Sequence, residues 1–253
     1  MSDDFILEGQ GLAKHFGGLR AVDGVTLRVQ AGALHSIIGP NGAGKTTLFN
    51  LLSGTLKPTR GRVLLRGQDI TGRPLHQMAR LGLGRSFQIT NVFPNLTVLE
   101  NVRLAAQALG RDSLNFWRPA AAFTRYAEHA EHVLGQVGLA AKLAVPAAAL
   151  PHGDKRKLEL AIILAGDPAV LLLDEPTAGM ASEQVPQFMD LIGQIRRAGG
   201  KTVVLVEHNM SIVMSVSDQI TVMHQGRLLA EGTPAEIAAN KAVQKAYLGE
   251  HAE

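Results

Sequence analysis

The chain has 253 residues, enough for one large domain with a sizeable core, and its 46% apolar and 19% charged residues are the balance of an ordinary globular protein. It contains no cysteine, which excludes disulfides and thiolate-ligated metals. A formal net charge of only +3, with one Trp and two Tyr, argues against a nucleic-acid groove or a base-stacking platform.

Basic residues stand mostly singly, apart from KRK at 155–157 and Arg196–Arg197. No apolar run approaches the ~20 residues that span a bilayer. The start, MSDDFILEGQ, is acidic and lacks the basic region and apolar stretch of a secretory leader. In chain order, FILEG, VTLRV and VLLRG predict an N-terminal β layer, with glycine-rich turns between the strands. ALHSIIG reads as a buried strand feeding a glycine-rich loop and then a helix, KTTLFNLLSG, that closes at Gly54.

From about 90 to 165 the chain is alanine-rich and helical in pattern: VLENVRLAAQAL, then FTRYAEHAEHVLGQVGL, with the turn-prone RDSLNFWRPAA between them. ALPHGDKRKLELA, at 149–161, reads as a helix start in which Pro151 stands where a hydroxyl would be more useful. Two more buried strands follow, AVLLLDE (169–175) and KTVVLVEH (201–208), separated by helical patterns. Short continuous apolar strands alternating with helices predict a parallel sheet covered on both faces. DQITVMHQGRLLAEG reads as a hairpin turning near Gln225–Gly226, and Thr233-Pro234-Ala235-Glu236 sets an N-cap, a proline and an acid in the order that opens a helix.

GPNGAGKTT, residues 39–47, fits the phosphate-loop pattern G-x-x-x-x-G-K-[ST], in the required place between a strand and a helix. Gly39, Gly42 and Gly44 let the backbone bend around Pro40, Asn41 and Ala43 so that successive N–H groups face phosphate oxygens. The helix N-terminus adds partial positive charge. Lys45 is placed to reach the β and γ phosphates, Thr46 to offer a hydroxyl to magnesium, and Thr47 completes the segment. VLLLDE ends in two carboxylates with separate tasks: Asp174 for magnesium through its water shell, Glu175 to polarise an attacking water. His208, read as ending the next core strand, stands where it would hydrogen-bond a γ phosphate. Solvated strand-end acids and a structural histidine are the plainer readings, and the phosphate loop upstream weighs against them. The nine histidines show no metal-spaced pair.

The order of these elements resembles the ATP-binding subunit of an ABC transporter over nearly the whole chain. The resemblance implies an α/β ABC ATPase fold in a single domain, 1–253. Within it, a P-loop NTPase core with a mostly parallel sheet and an antiparallel β layer takes 1–89 and 166–253, and an inserted helical lobe takes 90–165. It also implies that Phe16, in LAKHFGGLRAVDGV, stacks on adenine. Gln88, in GRSFQ, joins core to lobe and reaches the magnesium and the attacking water. Glu175 matches the catalytic base and His208 the switch histidine. LPHGD, 150–154, aligns with the family signature, so that Pro151, His152, Gly153 and Asp154 would complete the nucleotide site of a second subunit, and AGMAS, 178–182, occupies the inter-subunit loop. The family usually has Ser where this chain has Pro151, and a small polar or acidic residue where it has Ala181.

Within the family, FQITNVFPNLTVLENV, the NFWRP segment, HNMSIVMSVSDQITVMHQGRLLAEGTPAEI and VQKAYLGE look most like subunits serving branched-chain amino acid importers. The resemblance implies ATP and Mg2+ as cofactors and a second ATPase subunit, identical or different, paired head to tail. It also implies transmembrane permease subunits, an indirect link to a solute-binding protein, no nucleic acid, and a peripheral place on the cytoplasmic face of the membrane. Importers of urea, amides or other amino acids carry similar ATPase subunits. A P-loop kinase would account for GPNGAGKTT but leaves Gln88, LPHGD and His208 without roles. A soluble ABC-type ATPase would bring a tandem unit or a long coiled coil.

Overall fold

The computed structural model describes residues 5–86, 92–110 and 124–248. Two sheets form the frame. The first is antiparallel, in the order β2-β1-β4-β5, from β1 (Phe5–Phe16), β2 (Leu19–Gln30), β4 (Arg60–Leu65) and β5 (Gln68–Asp69). Along β2 the residues Val25, Leu27 and Val29 face inward and Thr26, Arg28 and Gln30 outward, the alternation of a strand covered on one face.

The second sheet runs β10-β9-β3-β8-β7-β6. Its strands β3 (Leu34–Ile38), β6 (Leu83–Arg85), β7 (Val170–Asp174), β8 (Thr202–Val206) and β9 (Gln219–His224) pair in parallel, and β10 (Arg227–Gly232) closes it antiparallel to β9. Every residue of β3, β7 and β8 is buried, which explains why these strands read as unbroken apolar runs. The β9–β10 turn has Gln225 at φ 48° and Gly226 at φ 75°, the two positive values that a tight hairpin turn demands.

Helix α1 (Lys45–Leu52) follows β3 directly, and α2 (Leu75–Arg80) precedes β6. Helices α3 (Val98–Leu109), α4 (Thr124–Gln136) and α5 (His152–Leu164) pack on one another between β6 and β7 in sequence. Thr97 caps α3 by accepting from the Glu100 N–H. Beyond β7 come α6 (Val185–Gly199) and, after β8, α7 (Met210–Val216). Thr233 and Glu236 form a reciprocal capping box on α8 (Pro234–Ala239), ahead of α9 (Lys241–Leu248).

The parallel sheet is the wall between two apolar cores. Leu171, Leu173 and Leu205 point into one core, with Val102, Leu134 and Leu158 from α3, α4 and α5 and with Phe188 and Ile192 from α6. Leu172, Val204 and Val206 point into the other, with Leu7 and Leu27 of the antiparallel layer and Phe49 and Leu52 of α1. Each such side chain contributes about 1.5–3 kcal/mol by leaving water, so both faces of β7 and β8 are clamped and their C-terminal ends are held rigidly at one edge.

Candidate active site

Parallel strands deliver all their C-terminal ends to the same edge, and the groups gathered there come from β3, β7 and β8. At the end of β3, Gly39 has φ 150° and a Cβ there would lie 2.2 Å from the Met223 carbonyl oxygen. Gly44, at φ 97°, would set a Cβ 2.3 Å from the Ala21 carbonyl oxygen. Side chains are therefore excluded at both ends of the loop by backbone, not by movable groups. Pro40 and Ala43 are buried while Asn41, Gly42 and Thr46 face solvent. The first turn of α1 holds no acid, so its N-terminal positive charge is unopposed there, beside Thr46 and Thr47. Lys45 Nζ donates to the carbonyls of Gly39 at 2.6 Å and Pro40 at 2.9 Å, which folds the ammonium across its own loop.

At the end of β7, Asp174 is buried, and its N–H donates to Ser86 Oγ at 2.9 Å. Its Oδ2 is buried without a hydrogen-bond partner. Burial, and then the charge of Glu175, raise its pKa above the ordinary carboxylate value, while Arg85 and Lys45 oppose the rise. An orphaned carboxylate oxygen of this kind, together with the Thr46 hydroxyl, is a hard oxygen donor set that magnesium accepts when phosphate oxygens complete its shell. Among the described residues no group of three or more His, Cys, Asp or Glu offers an all-protein cage.

Glu175 takes φ 45°, the left-handed region where a residue with a side chain is uncommon. Its N–H donates to the Val206 carbonyl at 2.9 Å, and its Oε1 lies 3.7 Å from Nδ1 of the exposed His208. His208 does not end a strand: β8 stops at Val206, and His208 stands two residues beyond it. Glu207, between them, turns inward to 1% exposure, a buried acid where the sequence pattern suggests a strand tail. Its available signal was position, since an acid directly following TVVLV, buried on both faces, has little exposed surface to occupy.

Pro151 is the N-cap of α5, at φ −57° and ψ 158°, and gives that helix no side-chain cap. It thus lies one residue ahead of the first helical position, where an extended ψ suits proline and no N–H is needed. His152 and Gly153 follow. A Cβ on Gly153 would meet Gln184 Oε1 at 2.7 Å, and one on Gly179 would meet His152 Nε2 at 2.9 Å. The start of α5 is therefore seated against the 178–184 segment, and Arg156 donates to the Ala178 carbonyl at 2.8 Å. Asp154 is engaged within its own chain, paired with Lys142 and, at 3.7 Å, with Lys157. Phe16, at the end of β1, is 48% exposed, with Lys14 Nζ 5.3 Å from its ring centre, and so offers a face for stacking. Gln88 lies outside the described residues.

Comparison with known families adds a decisive match: the ABC transporter profile covers residues 22–178, from the antiparallel layer through both carboxylates to Ala178. The chain belongs to the ABC transporter family of ATP-binding cassettes. It therefore binds ATP and is an ATPase coupled to transport. A second profile, of branched-chain amino acid ATP-binding cassette transporters, matches residues 227–253. The chain is 43% identical to the high-affinity branched-chain amino acid transport ATP-binding protein BraF of Pseudomonas aeruginosa, over 97% of this chain and 98% of that one. It is 41% identical to LivG of Escherichia coli, a protein of the same description, at the same coverage.

Among solved structures, a nucleotide-free ATP-binding cassette from an ABC transporter superposes with TM-score 0.85 at 30% identity, covering 96% of this chain and 98% of that one. The dimeric, post-hydrolysis state of a cassette bound to ADP and Pi gives TM-score 0.75 at 26% identity, covering 90% and 98%. Among the described residues of this cassette, no helix is long and apolar enough to cross a membrane.

Proposed function

We propose that this ATPase powers a branched-chain amino acid importer from the cytoplasmic face of the membrane, docked on transmembrane permease subunits that a solute-binding protein serves. The names of the BraF and LivG relatives and the C-terminal match at 227–253 support the solute class. The observation that carries the chemistry is the pairing of Glu175 and His208, 3.7 Å apart, on the edge that also bears the phosphate loop.

In this reading Phe16 stacks on the adenine. Residues Gly39, Pro40, Asn41, Gly42, Ala43 and Gly44 wrap the phosphates with backbone N–H groups, and Lys45 turns from its own carbonyls to the β and γ phosphate oxygens. Thr46, Asp174 and Gln88 would hold magnesium, which when bound would supply charge neutralisation at the phosphates. Glu175, its carboxylate open to solvent, accepts the proton of the attacking water, and His208 hydrogen-bonds the γ phosphate opposite it.

The signature residues Pro151, His152, Gly153 and Asp154 face the nucleotide of a second ATPase subunit, so each chain holds two half-sites and closure is head to tail. Pro151 brings that second site neither hydroxyl nor N–H, and Ala181 brings no polar side chain to the inter-subunit loop. Hydrolysis at the partner's site is accordingly weak, and pairing with a different ATPase subunit whose signature is intact makes turnover asymmetric, with the stronger site being the one on this chain. The reading is tested by reconstituting the chain with its permease and solute-binding protein in vesicles. ATP-dependent uptake of leucine, isoleucine or valine is expected, and is lost with Lys45→Ala. Vesicles that hydrolyse ATP yet import none of the three overturn the solute class. ATP consumption that requires a small-molecule phosphate acceptor overturns the transport reading altogether.

A further inference from the structure

Among the described residues Glu207 is the most deeply buried carboxylate, at 1% exposure. An ionised carboxylate without water is kept only where partners replace its hydration. Here each oxygen has a different partner. Oε1 accepts from the Thr177 hydroxyl at 2.6 Å, and Oε2 accepts from the His208 N–H at 3.2 Å, with the His208 ring Nδ1 at 3.9 Å.

The residues around it repeat one geometry. Val206, the last residue of β8, and the two residues that follow it each reach across to the segment after β7. The Val206 carbonyl accepts from the Glu175 N–H, Glu207 accepts from Thr177, and the His208 ring faces the Glu175 carboxylate. Glu175 meanwhile holds a left-handed backbone at φ 45°, which a residue with a Cβ keeps only where its surroundings impose it. The Thr177–Glu207 bond, two residues on, is the side-chain tie that closes that turn against β8.

We infer that Glu207 is a positioning residue for ATP hydrolysis. Through the Thr177 hydroxyl and the His208 backbone it fixes Glu175 and His208 opposite one another, without itself touching nucleotide. The inference rests on the roles proposed above for those two residues.

The test is Glu207→Gln in the full-length chain. The amide keeps the shape and an acceptor oxygen for the His208 N–H, but it removes the charge and reverses the Thr177 bond, replacing a charge-assisted bond to carboxylate with a weaker NH2 donation to the hydroxyl oxygen. The expected result is a tenfold or greater fall in kcat for ATP with KM unchanged within twofold, since the nucleotide contacts are untouched. Thr177→Val, which removes only the hydroxyl, is expected to lower kcat at least threefold in the same pattern, and the double variant to fall no further than Glu207→Gln alone. A kcat within twofold of the parent, or a raised KM with unchanged kcat, overturns the inference. If Glu207→Gln fails to fold, Thr177→Val decides by the same split, and an unchanged kcat there overturns it. Glu175→Gln and His208→Ala run in parallel separate the two levels of argument. Turnover retained in both overturns the roles of those residues, whereas turnover lost in both but kept in Glu207→Gln overturns the positioning role alone.

Discussion

Pro151→Ser isolates the proline at the helix start that is proposed above to face the nucleotide of a second subunit. Proline is the N-cap of α5 and supplies no side-chain acceptor there. A serine in its place gains about 0.5–2 kcal/mol of capping and gives up about 0.4–1 kcal/mol of proline stiffness. The two nearly cancel, so the folded subunit should melt within a few degrees of the parent. Catalysis is another matter, because the hydroxyl offers a hydrogen bond to a charged phosphate worth about 1.5–3 kcal/mol, which corresponds to roughly a ten- to hundredfold change in rate. Steady-state ATP hydrolysis by the assembled transporter, at matched subunit content and with thermal melting as control, reads the difference. Rates within twofold of one another would refute the claim that Pro151 limits the half-site it offers.

Lys45→Ala should abolish ATP binding and turnover, whereas Glu175→Gln should retain ATP through gel filtration while losing hydrolysis; normal turnover by the latter removes Glu175 as the base. His35 is 1% exposed, bonded to the Thr221 hydroxyl at 2.7 Å, and burial lowers its pKa from 6.5 to about 4. The unfolded chain takes up that proton as pH falls through 6.5 and the folded chain does so only near 4, so stability is full above that window and is lost through it. The loss totals about 3 kcal/mol at 1.36 kcal/mol per unit, measurable as urea midpoints between pH 7 and 4, and His35→Gln should flatten that slope. Gly44→Ala places a Cβ 2.3 Å from the Ala21 carbonyl at a φ of 97°, and is expected to lose ATP affinity by isothermal titration even if the chain still folds.

Much of this architecture is legible in the residues. Strands buried on both faces announce themselves as VLLLD and TVVLV, because nothing polar fits between two apolar cores. The phosphate loop is legible because Gly39 and Gly44 stand where a Cβ would strike backbone, and Gly42 between them holds a left-handed φ of 73°. Strand β6 was not, since LGR carries no β-branched residue. It exists because β7 offers an edge, and because Gly84 lets Ile163 approach to where a Cβ would stand at 2.6 Å. Strand β8 ends two residues before the apolar pattern suggests, for a related reason. Sequence pattern continues smoothly through VEH, but the backbone leaves the sheet once Glu207 turns in towards Thr177. The inward turn of that acid is set by its tertiary partner Thr177, and its place directly after TVVLV is the single local hint of it.

The lysine folded over its own loop has an entropic consequence. A solvent-exposed lysine carries roughly 2 kcal/mol of rotamer freedom, which a ligand must extinguish on arrival. Lys45 is already tethered to two carbonyls, those of Gly39 and Pro40, before any nucleotide comes. Its side chain is thus ordered when the protein folds and not when ATP binds. Nucleotide capture becomes an exchange of oxygen partners around an ammonium that has already stopped wandering, and the affinity for ATP is correspondingly less diluted by disorder.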